Sequence, residues 1–354
     1  MISASPILRL PVEELDRVVD AVSPRWERLR GRRLLLTGGT GFIGKWLLAT
    51  FLHANRRLNL QAGVVALSRR PESFLAEFPE LRDSAEIQWL IGDVRDLVPQ
   101  TAAHCDFAIH AATDVAATST PSEILDTCTS GTRRVLDAMS TRGVPRRVLL
   151  LSSGAVYGRT PPELPAIPED WTGAPDSLAP GSAYGEGKRV TELLGAMAAA
   201  AWPSLEVAIA RCFAFVGPHL RLDKHFAIGN FIRAALRGED IHIQGDGTPV
   251  RSYLYASDLT HWLWTLLFDA PSGRAYNVGG AESLSIGELA HRVNRVLGGA
   301  GSIRIARKTA PGVLPQIYVP SVKRISAELG LTQRIDLDDA ILRTARWASQ
   351  PLRD

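Results

Sequence analysis

Thr37-Gly38-Gly39-Thr40-Gly41-Phe42-Ile43-Gly44 decides the fold of this 354-residue chain, because of what lies on either side of it. The apolar triplet Leu34-Leu35-Leu36 precedes it as a strand, and Trp46-Leu47-Leu48-Ala49-Thr50-Phe51-Leu52 follows as a helix. Strand, glycine turn and helix in that order are the setting of a dinucleotide-binding loop. Gly38 permits the tight turn, Gly41 lets the backbone approach a pyrophosphate, and Gly44 brings helix and strand together, with Phe42 and Ile43 between them. The phosphates then rest over the helix N-terminus, where free N–H groups point outward. A glycine loop alone is a weak signal. Tyr184-Gly185-Glu186-Gly187-Lys188 strengthens it by setting a tyrosine and a lysine one helical turn apart, on one face.

Working outward, short apolar runs alternate with helical segments. Val64-Val65-Ala66-Leu67, Ile87-Gln88-Trp89-Leu90, Phe107-Ala108-Ile109-His110, residues 147–151 and residues 205–210 are expected strands. The spacing predicts helices over residues 124–138 and 184–201. This is the pattern of an α/β protein with a doubly wound parallel Rossmann sheet and helices on both faces. Residues 12–26 read as an extra helix on the outside of it, within an N-terminal helical extension (1–30). The dinucleotide-binding domain is expected over 31–215, with the proline-rich stretch 160–182 as a loop over the cleft. Residues 216–354 are expected to form mainly a smaller C-terminal α/β lobe for the substrate, with segments crossing between lobes, and to carry helices at 227–237, 257–268 and 286–297 and a short strand at 241–243.

Composition narrows the function. Apolar residues make up 45% and charged residues 22%, ordinary values for a globular protein. The net charge is +3, from 40 basic and 37 acidic residues, and the arginines are scattered, so nucleic acid is not an expected partner. No segment approaches the ~20 apolar residues that span a bilayer, and no signal peptide is read, so no membrane association is expected. Cys105, Cys128 and Cys212 show neither metal spacing nor an even disulfide framework, which fits a reducing cytoplasm. His110, His219 and His225 do not converge, and no metal site is expected.

From about Gly31 to near the C-terminus the chain resembles the extended short-chain dehydrogenase/reductases, in their nucleotide-sugar epimerase, dehydratase and ketoreductase branch. The motifs that carry the resemblance are TGGTGFIG, GDV at Gly92–Val94, HAA at His110–Ala112, SSGAVYG at Ser152–Gly158, YGEGK at Tyr184–Lys188 and RSYLYASDL at Arg251–Leu259. The resemblance implies a nucleotide-diphosphate sugar as substrate, a nicotinamide cofactor, and a homodimer formed through two helices. It implies catalysis by Ser153, Tyr184 and Lys188, with Lys188 also reaching the nicotinamide ribose. Asp93 and Val94 would flank the adenine, and Ala111, Ala112 and Thr113 would line the middle of the cofactor. Arg251 would meet the substrate diphosphate, the Phe226-Ala227 segment would cradle the nucleotide, and Asn277 would lie near the base.

The residues explain why this grouping suits redox chemistry. A free tyrosine, with a pKa near 10, is a poor base at neutral pH, but a neighbouring ammonium favours its phenolate. Tyr184 then takes a proton from a sugar hydroxyl as hydride leaves the same carbon, and Ser153 hydrogen-bonds the reacting oxygen. The related 4,6-dehydratases place Asp-Glu directly after this serine, and decarboxylating relatives keep a glutamate there; this chain has Gly154-Ala155. Without that acid and base, the expected reactions are 4-epimerisation or reduction of a 4-keto sugar. The rival readings are a 4,6-dehydratase and a non-catalytic dinucleotide sensor. After the second strand come Ser68-Arg69-Arg70, where an NAD enzyme generally shows an acid, so NADP is favoured over NAD. Two departures touch substrate contacts: Ala214 and Cys128 stand where relatives usually carry asparagine.

Overall fold

The computed structural model describes residues 7–113, 119–140, 145–223, 226–310, 312 and 314–350. In chain order it runs α1 (Val12–Val22), β1 (Arg33–Thr37), α2 (Phe42–Arg57), β2 (Gly63–Ser68), α3 (Pro71–Glu77), β3 (Ile87–Ile91), α4 (Pro99–Ala102), β4 (Phe107–His110), α5 (Pro121–Asp126), α6 (Thr132–Ser140), β5 (Arg146–Ser153), α7 (Ala183–Ala201) and β6 (Leu205–Cys212). It continues through β7 (Phe215–Val216), α8 (Ala227–Leu236), β8 (Ile241–Ile243), β9 (Val250–Arg251), β10 (Leu254–Tyr255), α9 (Ala256–Asp269), β11 (Ala275–Val278), β12 (Leu284–Ser285), α10 (Ile286–Leu297), β13 (Ile303–Ile305), β14 (Ile317–Tyr318), α11 (Lys323–Leu329) and α12 (Leu337–Ala348).

Seven strands form one sheet in the order β3-β2-β1-β4-β5-β6-β11. The pairs from β3 to β5 are parallel, and Thr37 at the end of β1 lies level with His110 at the end of β4. Their near-continuous apolar sequence follows from burial on both faces: every residue of β4, and Leu34 to Thr37 of β1, is buried. The order turns back on itself between β1 and β4, and sheets of this kind bind ligands beyond the carboxyl ends of the strands at such a point.

The chain divides into two compact units. The first holds the residues up to Val156, then Ala174–Arg211 and Thr260–Tyr276; the second holds Tyr157–Gly173, Cys212–Leu259 and Asn277 onward. In the first unit, Trp26 is buried with its ring 4.8 Å from Trp264 and 6.0 Å from Phe268. Arg28 donates to the carbonyl of Phe268, and Arg147 donates to those of Leu267 (2.7 Å) and Ala270 (2.5 Å). These cations satisfy carbonyls that the end of α9 leaves without helical partners.

Two helices differ from the sequence expectation. The helix expected over 12–26 ends at Val22, because Pro24 has no N–H to continue it; a 3-10 turn, Arg25–Leu29, follows. The helix expected over 124–138 starts earlier, at Pro121, behind a capping box in which Thr120 and Glu123 satisfy each other's backbone N–H. It is also interrupted by a π-helical turn, Thr127–Gly131, between α5 and α6.

Within the second unit, β9 lies between β12 and β14, β8 pairs with β13, and β7 with β10. A second capping box, Ser285 with Glu288, starts α10, and Gly298 in the left-handed conformation (φ 63°) ends it. The Asp258 carboxylate accepts from the backbone N–H groups of Arg334 and Ile335, which fixes the approach to α12. No helix among the described residues is long and apolar enough to cross a membrane.

Candidate active site

The glycine loop is built by close approaches. Gly38 adopts φ 72°, and a Cβ there would lie 2.6 Å from the carbonyl oxygen of Ala111, at the end of β4. A Cβ on Gly44 would fall 2.1 Å from the Gly38 oxygen, so the first turn of α2 rests directly on the loop. Gly41 is the N-cap of α2 and brings no side chain to its free N–H groups. Phe42 and Ile43, half-buried, open the helix. These N–H groups, the missing cap and the missing Cβ atoms fit a dinucleotide pyrophosphate.

Thr37 organises the strand ends beside the loop. Its hydroxyl accepts from the N–H groups of Ala111 (3.2 Å) and Ala112 (3.3 Å) and lies 2.8 Å from His110 Nδ1. With two donors already facing it, the hydroxyl sends its own hydrogen to Nδ1. Burial, and secondarily the Lys188 charge, push the His110 pKa down to about 3, so the ring is neutral.

Tyr184 and Lys188 meet as their spacing requires, with Lys188 Nζ 5.9 Å from the centre of the tyrosine ring. Lys188 is buried, and Nζ donates to Thr113 Oγ1 (2.9 Å) and to the carbonyl of Leu151 on β5 (2.7 Å). Leu151 stands two residues before Ser153, whose Oγ accepts from the Ala155 N–H at 3.1 Å. A 3-10 turn, Gly154–Tyr157, follows the serine, and a Cβ on Gly185 would lie 2.7 Å from the Ala155 oxygen. Helix α7 therefore sits flush on the turn after Ser153. On its other flank, a Cβ on Gly187 would lie 2.9 Å from Cys128 Cβ, in the π turn.

Sequence reasoning missed a half-buried network behind this group. Ser152 donates to Glu192 at 2.5 Å, and Arg211 grips the same carboxylate through Nε (2.9 Å) and Nη2 (2.7 Å). The signal was available: Glu192 is one further turn along α7 from Lys188, on the face that carries Tyr184. Thr113 was expected against the cofactor, and its bond to Lys188 had no sequence signal.

At the end of β2, Ser68 is half-buried and Arg69 and Arg70 are exposed. Asp93 is held well below the usual carboxylate range by Arg95, which donates to it from Nε (2.9 Å), Nη2 (3.0 Å) and its backbone N–H; Arg69 adds to the effect. Val94 is buried, and a Cβ on Gly131 would press against it.

In the second unit, Phe226 is the exposed N-cap of α8, and Ala227 opens that helix at the wall of a cavity of about 580 Å³. Asn230, Phe231, Ile243, Gln244 and Gly245 line it further, residues with no periodic or charge pattern to mark them in advance. Arg251 is half-buried and donates to the carbonyls of Val250 (2.9 Å) and Gln316 (3.2 Å) and to Gln316 Oε1 (3.1 Å). Among the described residues no carboxylate pairs with it, and burial lowers its pKa. Asn277 is fully buried: its Oδ1 accepts from Tyr157 (2.7 Å), and its Nδ2 donates to the carbonyls of Ile167 (2.8 Å) and Ser321 (3.2 Å). That side chain is engaged inside its own unit. His219 packs on Trp347 (4.7 Å between rings), and His225 lies outside the described residues. No three His, Cys, Asp or Glu side chains group to hold a metal ion among the described residues.

Comparison with known proteins agrees with this geometry. Residues 34–279 match the NAD dependent epimerase/dehydratase family. The chain is 27% identical to UDP-glucuronic acid decarboxylase 1 of Xenopus tropicalis, across 98% of this chain and 79% of the relative. It is 26% identical to dTDP-glucose 4,6-dehydratase of Streptomyces niveus, across 89% and 92%. Among solved structures, MoeE5 in complex with UDP-glucuronic acid and NAD superposes with a TM-score of 0.70 at 28% identity, over 89% of this chain and 98% of that one. With its glycine loop, its Tyr-Lys pair and its strand order, this chain belongs to the NAD dependent epimerase/dehydratase family, within the extended short-chain dehydrogenase/reductases.

Proposed function

We propose that the protein acts at C4 of a nucleotide-diphosphate sugar, as a 4-epimerase or a 4-ketoreductase. The reading rests on the Tyr184–Lys188 pair fixed over the carboxyl end of β5, next to a turn, Gly154-Ala155, that carries no acid or base. The glycine loop, Asp93, Val94 and the Ala111–Thr113 strand end hold the cofactor. A bound nicotinamide would supply the hydride acceptor and donor. Tyr184 takes the proton of the C4 hydroxyl as the alcohol becomes a ketone, and gives it back when the ketone is reduced. Lys188, immobilised by Thr113 and the Leu151 carbonyl, stabilises negative charge on the phenol oxygen. Ser153 donates a hydrogen bond to the same sugar oxygen.

Arg69 and Arg70 favour NADP(H), whereas MoeE5, a relative by structure, holds NAD. In the second unit, the cavity beside Ala227 supports a site for the base, and Arg251 a site for the diphosphate. Exposed Leu125 on α5 and Leu193 and Met197 on α7 support a homodimer through these two helices. Three buried, unbridged cysteines support a reducing, cytoplasmic location.

The likeness to the Streptomyces niveus enzyme favours a second reading, 4,6-dehydration, but Gly154 and Ala155 offer that elimination neither proton donor nor acceptor. One experiment separates these readings. The purified chain is analysed for retained dinucleotide, then given UDP-glucose, UDP-glucuronic acid and dTDP-glucose, and, in a separate incubation, dTDP-4-keto-6-deoxyglucose with NADPH. Inversion at C4 with tightly held NAD marks the epimerase, and NADPH consumption on a 4-keto sugar marks the reductase. A 4-keto-6-deoxy sugar, seen by its absorbance in alkali, overturns both in favour of the dehydratase.

A further inference from the structure

Four side chains of the second unit form a continuous stack. The Arg251 guanidinium lies 5.6 Å from the centre of the Tyr318 ring, its neighbour across the β9–β14 pair. Tyr318 lies 4.6 Å from Phe213, with the rings 37° from parallel, and Phe213 lies 6.3 Å from Tyr157. The stack ends on the Tyr157 hydroxyl, which donates to Asn277. Asn277 is itself tied down, since its N–H donates to Glu169 (3.0 Å) and Arg324 lies 3.8 Å from that carboxylate. Two glycines keep the stack tight: a Cβ on Gly279 would lie 3.0 Å from Phe213 Cβ, and one on Gly173 would lie 2.7 Å from the Tyr157 carbonyl oxygen.

The chain position of Tyr157 gives this stack a consequence. It is the last residue of the 3-10 turn that begins one residue after Ser153, so only three residues separate the two. Arg251 has no carboxylate partner among the described residues, and an anion captured there would draw on the side of its guanidinium that faces away from Gln316. We infer that Tyr157 and Asn277 are positioning residues: phosphate capture by Arg251 is passed through Tyr318 and Phe213 to Tyr157 and fixes the turn that directly follows Ser153. The inference rests on the reading of Arg251 as a diphosphate ligand and adds to it a link between substrate capture and the order of the catalytic turn.

The test uses the full chain, with UDP as the probe and hydrogen–deuterium exchange of the segment 151–160 as the readout. Addition of UDP should slow exchange of that segment about tenfold in the wild type. Tyr157→Phe, which keeps the ring and removes only the hydroxyl, should bind UDP within about threefold of the wild type yet lose most of that protection. Tyr318→Leu interrupts the stack at its other end and should lose it as well, which keeps the idea testable if Tyr157→Phe does not fold. A merely structural tyrosine would lower melting temperature and leave the UDP-dependent difference intact. Equal protection in wild type and variants overturns the link while leaving the substrate reading untouched. Where the wild type does not bind UDP, dTDP replaces it as the probe, and failure to bind either overturns the substrate reading and the link with it.

Discussion

Two half-buried arginines, one in each unit, are satisfied in opposite ways. In the first unit, Arg211 is held by the bidentate Glu192 carboxylate. In the second, Arg251 makes its hydrogen bonds to the neutral oxygens of Val250 and Gln316, with no carboxylate partner among the described residues. A cation matched inside the fold sets geometry; one left unmatched awaits charge from elsewhere. Under the proposed function, fixed chemistry belongs to α7 and β5, and recognition to β9 and α8.

The largest test of that contrast is Tyr184→Phe. Turnover should fall about 10³-fold, in the range that loss of a general acid–base brings, while UDP affinity and cofactor retention stay unchanged. A parallel loss of UDP binding would show that the tyrosine belongs to recognition after all. A second test compares two arginines by thermal or denaturant unfolding. Arg211→Met leaves the half-buried Glu192 without its cation and should cost about 3 kcal/mol of stability, the low end for a broken buried pair. Arg251→Gln should leave stability nearly unchanged and weaken UDP binding about 10- to 100-fold, the loss expected for a charge-assisted contact. Equal destabilisation by the two would erase the distinction.

A third and smaller effect concerns His110. Its folded pKa, about 3, lies below the unfolded value near 6.5, so the unfolded chain binds the extra proton first. Stability is therefore full above pH 6.5 and declines as pH falls from there toward 3. Between pH 7 and pH 5 the wild type should lose about 2 kcal/mol more than His110→Asn. Parallel curves for the two proteins would mean that the imidazole gains a partner on protonation.

Sequence marked the elements whose burial is symmetrical. β4 occupies the same four residues as the apolar run Phe107-Ala108-Ile109-His110, because a central parallel strand is covered on both faces. The start of α5 escaped because its signal is the capping pair Thr120 and Glu123 rather than an apolar period. In the site, Tyr184 and Lys188 announced themselves by spacing. Asn277, expected near the base from the resemblance, owes its burial to Tyr157, Ile167 and Ser321, all distant in sequence. The cavity beside Ala227 was invisible for the same reason: Asn230, Gln244 and Gly245 acquire meaning only when folded together.

Trp26 and Arg28 bear on how this protein can be handled. Both precede residue 34, where the match to the epimerase/dehydratase family begins, yet one fills a ring cluster with Trp264 and Phe268 and the other closes the end of α9. A version trimmed to begin at residue 34 would bare two large aromatic surfaces beside unsatisfied carbonyls, and would be prone to precipitate at concentrations the intact chain tolerates.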